Sequence, residues 1–492
     1  MKKKIIIYQL GKLVILVGLA MLLPLIMAIY DQERTIKAFL LAIPITLTVG
    51  GIFIGLGRGR RGSLNVRDGF VLVSLAWVFA SFLGTLPMFM SGYFPSFLDA
   101  FFETLSGFTA TGISVLADIE SLPRSLLLWR SMTQWLGGLG IVVLFVAMLS
   151  DVGSGSMQLF KAETTGSLKE KLRPRVRDTA KSLWIIYLLL TLTNAVALFI
   201  CGMGLFDAVN HAMTTIATGG YSTRNENFAA FPQISIQWVT IIFMFLSGSS
   251  FPLYYRFKQK RDLNVFFKNG EWCLYVTITL LFSFIIGFNF IYIDGYPIEK
   301  AIRMAIFNVV SLISSTGFVV EDFDQWASLS QLVVLMLIFS GGCAGSTSGG
   351  VKIERLLILL LQTKNELRYI LHPRMVTSLK INGSVVANRT IINVAVYVFL
   401  YTLIIIFATV VNTAVGLPIL EAFTTSLSCV GNGGPSLGMF GPTESFAALP
   451  AFLKGFDCVL MLIGRLELYT ILVVLLPLGM KHHETFHYVK GY

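Results

Sequence analysis

A chain of 492 residues that is 55% hydrophobic and only 13% charged, with a mean hydropathy of +0.75, excludes an ordinary set of soluble domains. The formal charge of +11 does not make it a nucleic-acid binder. Its lysines and arginines gather in alternate loops between apolar runs: four within 58–67, seven within 161–181, five within 256–268, and more between 364 and 389. That alternation marks cytoplasmic loops of a membrane protein, and apolar runs of about 20 residues, long enough to cross a bilayer, recur throughout. The predicted class is an all-α polytopic membrane protein.

Met1–Lys4 and the apolar run to Ile29 are like a signal peptide, but the run is long and lacks a small-x-small cleavage site. It reads as a retained first helix, 5–29, followed by a second at 36–56 and a basic loop, together residues 1–68. Four units follow. Residues 69–153 hold a span near 69–90, a short apolar stretch Phe97–Phe108, a turn at Gly112 and a span near 126–149. Residues 176–262 hold a span at 182–204, a short helix Asp207–Thr215, a turn at Gly219 and a span at 236–255. Residues 268–375 hold a span at 272–293, a short helix Glu299–Ile313, a turn at Gly317 and a long span at 330–360. Residues 386–492 hold a span at 391–411, a short helix Leu420–Leu427, a turn at Gly433, a span at 450–478 and a tail. The short stretches cannot cross a bilayer and suit re-entrant pore helices. Ten crossings put both termini in the cytoplasm. The opposite loops then carry Asp99, Glu103, Asp118, Glu120, Glu321, Asp322, Asp324, Glu421 and Glu444, an acidic outer face that concentrates cations.

The turns themselves are small, hydroxylated and glycine-rich: T-A-T-G-I-S at 109–114, T-I-A-T-G-G-Y-S at 215–222, S-S-T-G-F at 314–318 and G-N-G-G-P at 431–435. Gly112, Gly219, Gly317 and Gly433 lie 107, 98 and 116 residues apart. One such turn reads as a tight loop. Four at equivalent places predict four repeats around a central pore, with backbone carbonyls replacing the water that an alkali cation sheds. The candidate ion-binding residues are Thr111, Gly112, Thr218, Gly219, Thr316, Gly317, Asn432 and Gly433, with Thr109, Thr215 and Ser314 as further hydroxyls to hold the turns in shape. Nine residues before each glycine stand Glu103, Asn210, Asn308 and Thr424, which read equally as supports for the turns or as ordinary polar helix positions.

Two features suggest a gate. Gly341-Gly-Cys-Ala-Gly-Ser-Thr-Ser-Gly-Gly350 interrupts the long span of the third unit and predicts an irregular intramembrane loop below the filter, with Gly341, Gly342, Gly345, Ser346, Thr347, Gly349 and Gly350 as its working residues. Arg465 lies midway through the last span, where an arginine must face protein or water. It reads either as a partner of Glu467 or as a positive barrier in the pore.

On these motifs the chain resembles the Trk/Ktr/HKT superfamily of cation transporters, and its two additional N-terminal helices resemble the TrkH-type membrane subunit of bacterial potassium uptake. The resemblance covers nearly the whole chain. It implies potassium as the transported ion, bound through the eight filter residues. Glycine rather than serine at position 112 favours potassium over sodium. It also implies gate roles for loop 341–350 and Arg465, a homodimer in the bacterial inner membrane, and docking of a separate nucleotide-binding regulatory subunit (TrkA-like) on the cytoplasmic loops 151–181, 256–268 and 361–389.

No nucleotide-binding signature is present in the sequence, and no enzymatic activity is expected. His483-Glu-Thr-Phe-His487 matches H-E-x-x-H but sits in the tail, and Gly57-Arg-Gly-Arg-Arg-Gly62 fits G-x-G-x-x-G without a strand before it. That basic loop suits anionic lipid headgroups. The five cysteines are scattered and predict neither disulfide nor zinc site. The competing readings are a voltage-gated channel, which would need spaced arginines on one span, and a cation-coupled secondary transporter, which would use two inverted repeats.

Overall fold

Pro24 has no N–H to close onto Ala20, and the opening apolar run accordingly forms two helices, α1 (Lys3–Ala20) and α2 (Leu22–Tyr30). The structure, a computed structural model, describes residues 2–58, 65–138, 140, 176–374, 378–466, 468 and 470. The next helix, α3 (Ile36–Gly57), lies against α1 so closely that a Cβ at Gly11 would stand 2.7 Å from the Gly50 carbonyl oxygen. Small residues let two helix backbones meet in this way.

The first unit is α4 (Val66–Gly84), α5 (Leu86–Met90), α6 (Phe97–Phe108) and α7 (Arg124–Gly138). The second is α8 (Val176–Ile200), α9 (Leu205–Ile216), α10 (Ile234–Gly248) and α11 (Phe251–Lys260), with α12 (Asn264–Phe267) leading onward. The third is α13 (Gly270–Tyr292), α14 (Ile298–Ile313), α15 (Ser328–Ser340) and α16 (Ile353–Leu371). A two-stranded antiparallel hairpin, β1 (Lys380–Ile381) and β2 (Ser384–Val385), precedes the fourth unit. That unit is α17 (Asn388–Ala414), α18 (Ile419–Gly431) and α19 (Ala451–Leu466).

Among the described residues, six helical stretches are long and apolar enough to cross a membrane: 3–30, 36–57, 67–90, 179–200, 270–292 and 388–414. The bent pair α10–α11 makes a seventh if taken as one span. Of the three other predicted crossings, 126–149 and 450–478 run into residues outside the description, and 330–360 is interrupted after Ser340. The predicted span 236–255 is not one helix. It turns by 90° between Gly248 and Phe251, where Pro252 can start a helix but not continue one.

The short helices α6, α9, α14 and α18 each carry one carboxylate in the first turn, Asp99, Asp207, Glu299 and Glu421, which suits the positive end of the helix dipole. Their C-terminal halves are buried in the centre of the molecule. Glu103, expected among the outer acids, is instead wholly buried on α6.

Candidate functional site

Each short helix ends in the same backbone device. The N–H groups of Ala110, Thr218, Ser315 and Asn432 reach back to the carbonyls of Gly107, Thr215, Leu312 and Cys429. The next N–H groups, of Thr111, Gly219, Thr316 and Gly433, close onto Ser106, Thr214, Ser311 and Ser428. Ala110, Thr218, Ser315 and Asn432 all take left-handed φ values of 47–55°. Two residues on, Gly112, Gly220, Gly317 and Gly434 do so at 75–86°. The four turns are therefore equivalent, but in a register that corrects the sequence alignment. In the second and fourth units the counterparts of Gly112 and Gly317 are Gly220 and Gly434, and Gly219 and Gly433 occupy the places of Thr111 and Thr316.

The turns close on one another in a ring. A Cβ at Gly112 would strike the carbonyl oxygen of Gly219, and one at Gly220 that of Thr316. At Gly317 it would stand 3.0 Å from the Gly433 oxygen, and at Gly434 3.1 Å from the Thr111 oxygen. The left-handed glycine of each unit thus faces one carbonyl of the next, and that of the fourth faces the first. Glycine is required twice over here, by φ and by the space its neighbour's carbonyl takes. Asn432 strengthens the last junction, donating from Nδ2 to Thr111 Oγ1 at 2.8 Å and to the Met461 carbonyl at 3.1 Å. Within the turns, Thr109 shares a hydrogen bond with Thr111 and Ser314 with Thr316, both at 2.7 Å.

Above the glycines the chain is tied back to its own short helix. Ser114 Oγ donates to Glu103 at 3.0 Å, Ser222 Oγ pairs with His211 Nε2 at 2.9 Å, and Ser436 Oγ pairs with Thr424 at 2.7 Å and Thr425 at 3.3 Å. His211 Nδ1 donates to the Asp207 carbonyl at 2.8 Å, which fixes the ring. Of the four polar positions picked from the sequence, Glu103 and Thr424 take part. Asn210 and Asn308 donate only along their own helices, to Phe206 and Met304. His211 was missed because it sits nine residues before Gly220 rather than Gly219. Aligning the three serines two residues past the glycines would have found it.

Helix α7 braces the junction of the first two turns through residues that the sequence reading passed over. Arg130 donates from Nε and Nη2 to Glu103 Oε1 at 2.9 and 2.8 Å, and from Nη1 to the Ser222 carbonyl at 3.2 Å, in a buried ion pair. Its guanidinium stacks 4.1 Å over the Tyr221 ring, whose hydroxyl donates to the Glu103 carbonyl at 2.7 Å. Gln134 donates to the Gly219 carbonyl at 2.5 Å and accepts from Tyr221 N at 3.1 Å. On this side the ring opens into a cavity of about 250 Å³ bordered by Gly112, Gly220, Gly317 and Gly434. Nearby, burial pushes the Asp324 carboxyl above the usual carboxylate range; the Gly438 N–H opposes this and the charges of Asp322, Glu421 and Glu444 add to it.

On the opposite side of the ring lies the loop 341–352. Gly341 leaves α15 with φ +67°, and Val351, Lys352 and Ile353 donate back to Phe339, Ser340 and Gly342, so the loop is an excursion from one helical path. Ser346 Oγ donates to the Cys343 carbonyl at 2.6 Å, and Gly342 N to Ser348 Oγ at 3.1 Å. Outside itself, the loop touches three units. Cys343 N donates to the Gly248 carbonyl freed by the 90° bend, Phe251 N donates to the Gly345 carbonyl, and Thr347 Oγ1 donates to the Ile216 carbonyl at 3.0 Å. Gly349 N reaches Ser315 Oγ at 2.7 Å, and Gly350 N reaches the Gly431 carbonyl at 2.8 Å. Arg465 completes the contact with the first unit. Its guanidinium donates to the Thr347 carbonyl at 3.1 Å, to Gly137 at 2.5 Å and to Gly138. The two gate candidates are thus in contact. Glu467, the alternative partner for Arg465, and the His483–His487 motif lie outside the described residues.

Residues 36–483 match the family described as TrkH, cation transport protein. The Trk system potassium uptake protein TrkH of Salmonella typhimurium is 36% identical over 95% of this chain and 97% of its own length. TrkG of Escherichia coli is 33% identical, over 96% of this chain and 97% of its own length. The crystal structure of the potassium transporter TrkH from Vibrio parahaemolyticus superposes with a TM-score of 0.89 at 32% identity, covering 97% of this chain and 99% of that one. With its ring of carbonyls and its loop beneath, the chain belongs to the TrkH family of cation transport proteins.

Proposed function

We propose that the chain is the potassium-translocating membrane subunit of an uptake system, and that dehydrated potassium passes through the ring formed by Thr111–Gly112, Thr218–Gly220, Thr316–Gly317 and Asn432–Gly434. The observation that carries this is the closed four-way contact of carbonyl and left-handed glycine. Backbone carbonyls replace hydration oxygens without a fixed full charge that would hold the ion too tightly to leave. The partially negative ends of four helices add a field toward the same point. The five segments 1–68, 69–153, 176–262, 268–375 and 386–492 are the working units of this reading. The test is growth rescue of potassium-uptake-deficient cells at low potassium, followed by flux with sodium as competitor. Failure of rescue by a chain present in the membrane would overturn it. Gly112→Ser is expected to raise sodium permeation relative to potassium; an unchanged ratio from bi-ionic currents would sink the filter assignment.

In the same reading, loop 341–350 is the gate and Arg465 its latch, because the guanidinium ties the loop to the first unit across the path of the ion. Arg465→Ala is expected to raise cation flux in reconstituted vesicles, and unchanged or lower flux from a folded variant would count against it. A homodimer in the bacterial inner membrane, with cytoplasmic termini, completes the assignment; a carboxy-terminal alkaline phosphatase fusion should stay inactive, and purified protein running only as a monomer would remove the dimer. The curated relatives are named as parts of a Trk system, which favours further components; in this reading a separate TrkA-like subunit supplies the nucleotide regulation. Flux of the purified chain alone that responds to added ATP or ADP would contradict that.

A further inference from the structure

Away from the ion path, three cations converge where helix α11, helix α12 and the turn of the β hairpin meet. Arg256, Lys260 and Lys268 line a cavity of about 290 Å³ there. The acid in its wall, Asp262, is occupied by Asn264, accepting from that residue's N and Nδ2 at 2.9 Å each. Among the described residues no ion pair joins the three cations to a carboxylate. Two amides complete the wall. Asn382 Oδ1 accepts from Gly270 N at 2.8 Å and Asn269 Oδ1 from Trp272 N at 2.9 Å, so each oxygen is used on the start of α13 and each Nδ2 remains as a donor. Like charges brought together at one cavity repel unless an anion joins them.

The surroundings say which anion. Helix α11 runs at 90° to α10, across rather than along the spanning direction. Beside the cavity, Leu263, two residues past Arg261, is 62% exposed, and Phe267, directly before Lys268, is 65% exposed. Cations on the crosswise helix α11, followed by a segment that exposes Leu263 and Phe267, are the pattern of an interfacial stretch, with headgroups at the cations and acyl chains at the apolar side chains. A free phosphate would need the cations but not the apolar rim.

We propose that this cavity holds the phosphate of an anionic phospholipid headgroup, with Leu263 and Phe267 against its acyl chains. The site is separate from the conduction reading and stands or falls independently of it; it lies in 256–268, one of the loops offered above for a regulatory subunit, and the lipid and that subunit would compete for its cations. Native mass spectrometry of the full chain with equimolar phosphatidylglycerol and phosphatidylcholine should show phosphatidylglycerol retained by about tenfold or more, the preference expected of three cations at an interface. The triple variant Arg256→Gln, Lys260→Gln, Lys268→Gln should bring that ratio to within about twofold, and Lys260→Gln alone should lower it by about threefold without moving the melting temperature in phosphatidylcholine. Leu263→Gln with Phe267→Gln should weaken lipid retention while leaving binding of inorganic phosphate unchanged. An undiminished ratio in the triple variant overturns the site. Full displacement of phosphatidylglycerol by an equal concentration of inorganic phosphate, or indifference to the apolar substitutions, overturns the lipid.

Discussion

The first two turns of the ring and the fourth hold the same backbone shape by different means. Behind the first two stand a buried ion pair, a stacked guanidinium, an imidazole and a glutamine from α7. Behind the fourth stand hydroxyls: Thr424 and Thr425 on Ser436, and Ser428 Oγ donating to the Gly434 carbonyl at 2.5 Å. A four-part ring therefore does not require four like supports. What recurs is the cap at the end of each short helix and the glycine that faces its neighbour; the bracing is local.

Charge on one side and hydroxyls on the other should respond to mutation very differently. The largest effect is expected from Glu103→Gln, which leaves Arg130 buried without its counter-charge and should cost about 3–5 kcal/mol. Its melting temperature should fall clearly, and adding Arg130→Met should restore part of the loss; a variant as stable as the parent would erase the distinction between the two sides. Next comes the choice of glycine. Gly220→Ala places a Cβ in a left-handed residue against the Thr316 carbonyl, whereas Gly219→Ala is not left-handed and first meets the Gln134 amide, a side-chain end that can shift at the expense of its bracing bonds. With strain of about 1–2 kcal/mol, Gly220→Ala should lower potassium uptake by about tenfold or more, and Gly219→Ala should keep most of it. The reverse order would restore the sequence alignment. The smallest effect is expected at Ser436→Ala, which removes two neutral hydrogen bonds, to Thr424 and Thr425, worth about 0.5–1.5 kcal/mol each, with the potassium-to-sodium ratio unchanged. A loss there equal to that of Glu103→Gln would mean the hydroxyl side carries as much as the charged one.

Much of this arrangement was readable from residues alone. Apolar runs located the helices, and Phe97–Phe108 was bounded without error because Ser96 caps it and Thr109 begins the turn. The glycine turns were found as well. Their register slipped by one in the second and fourth units, since T-G-G and N-G-G each offer two glycines and only φ decides between them. Arg130 and Gln134 were invisible for another reason. Their spacing on α7 is ordinary, and their role depends on partners 27 to 92 residues away that only tertiary packing brings within a hydrogen bond. The 90° bend after Gly248 was signalled by Ser247-Gly-Ser-Ser-Phe-Pro252, but a hydropathy window averages that break into the apolar residues on either side.

Asn432 has one further implication, for biosynthesis. Its amide clasps Thr111 from the opposite end of the polypeptide, 321 positions away. Chains emerge from the ribosome in order, so a nascent product lacking its final quarter has three of the four sides and an open flank. In the proposed reading, the ring of carbonyls closes only once this last-made segment meets the first.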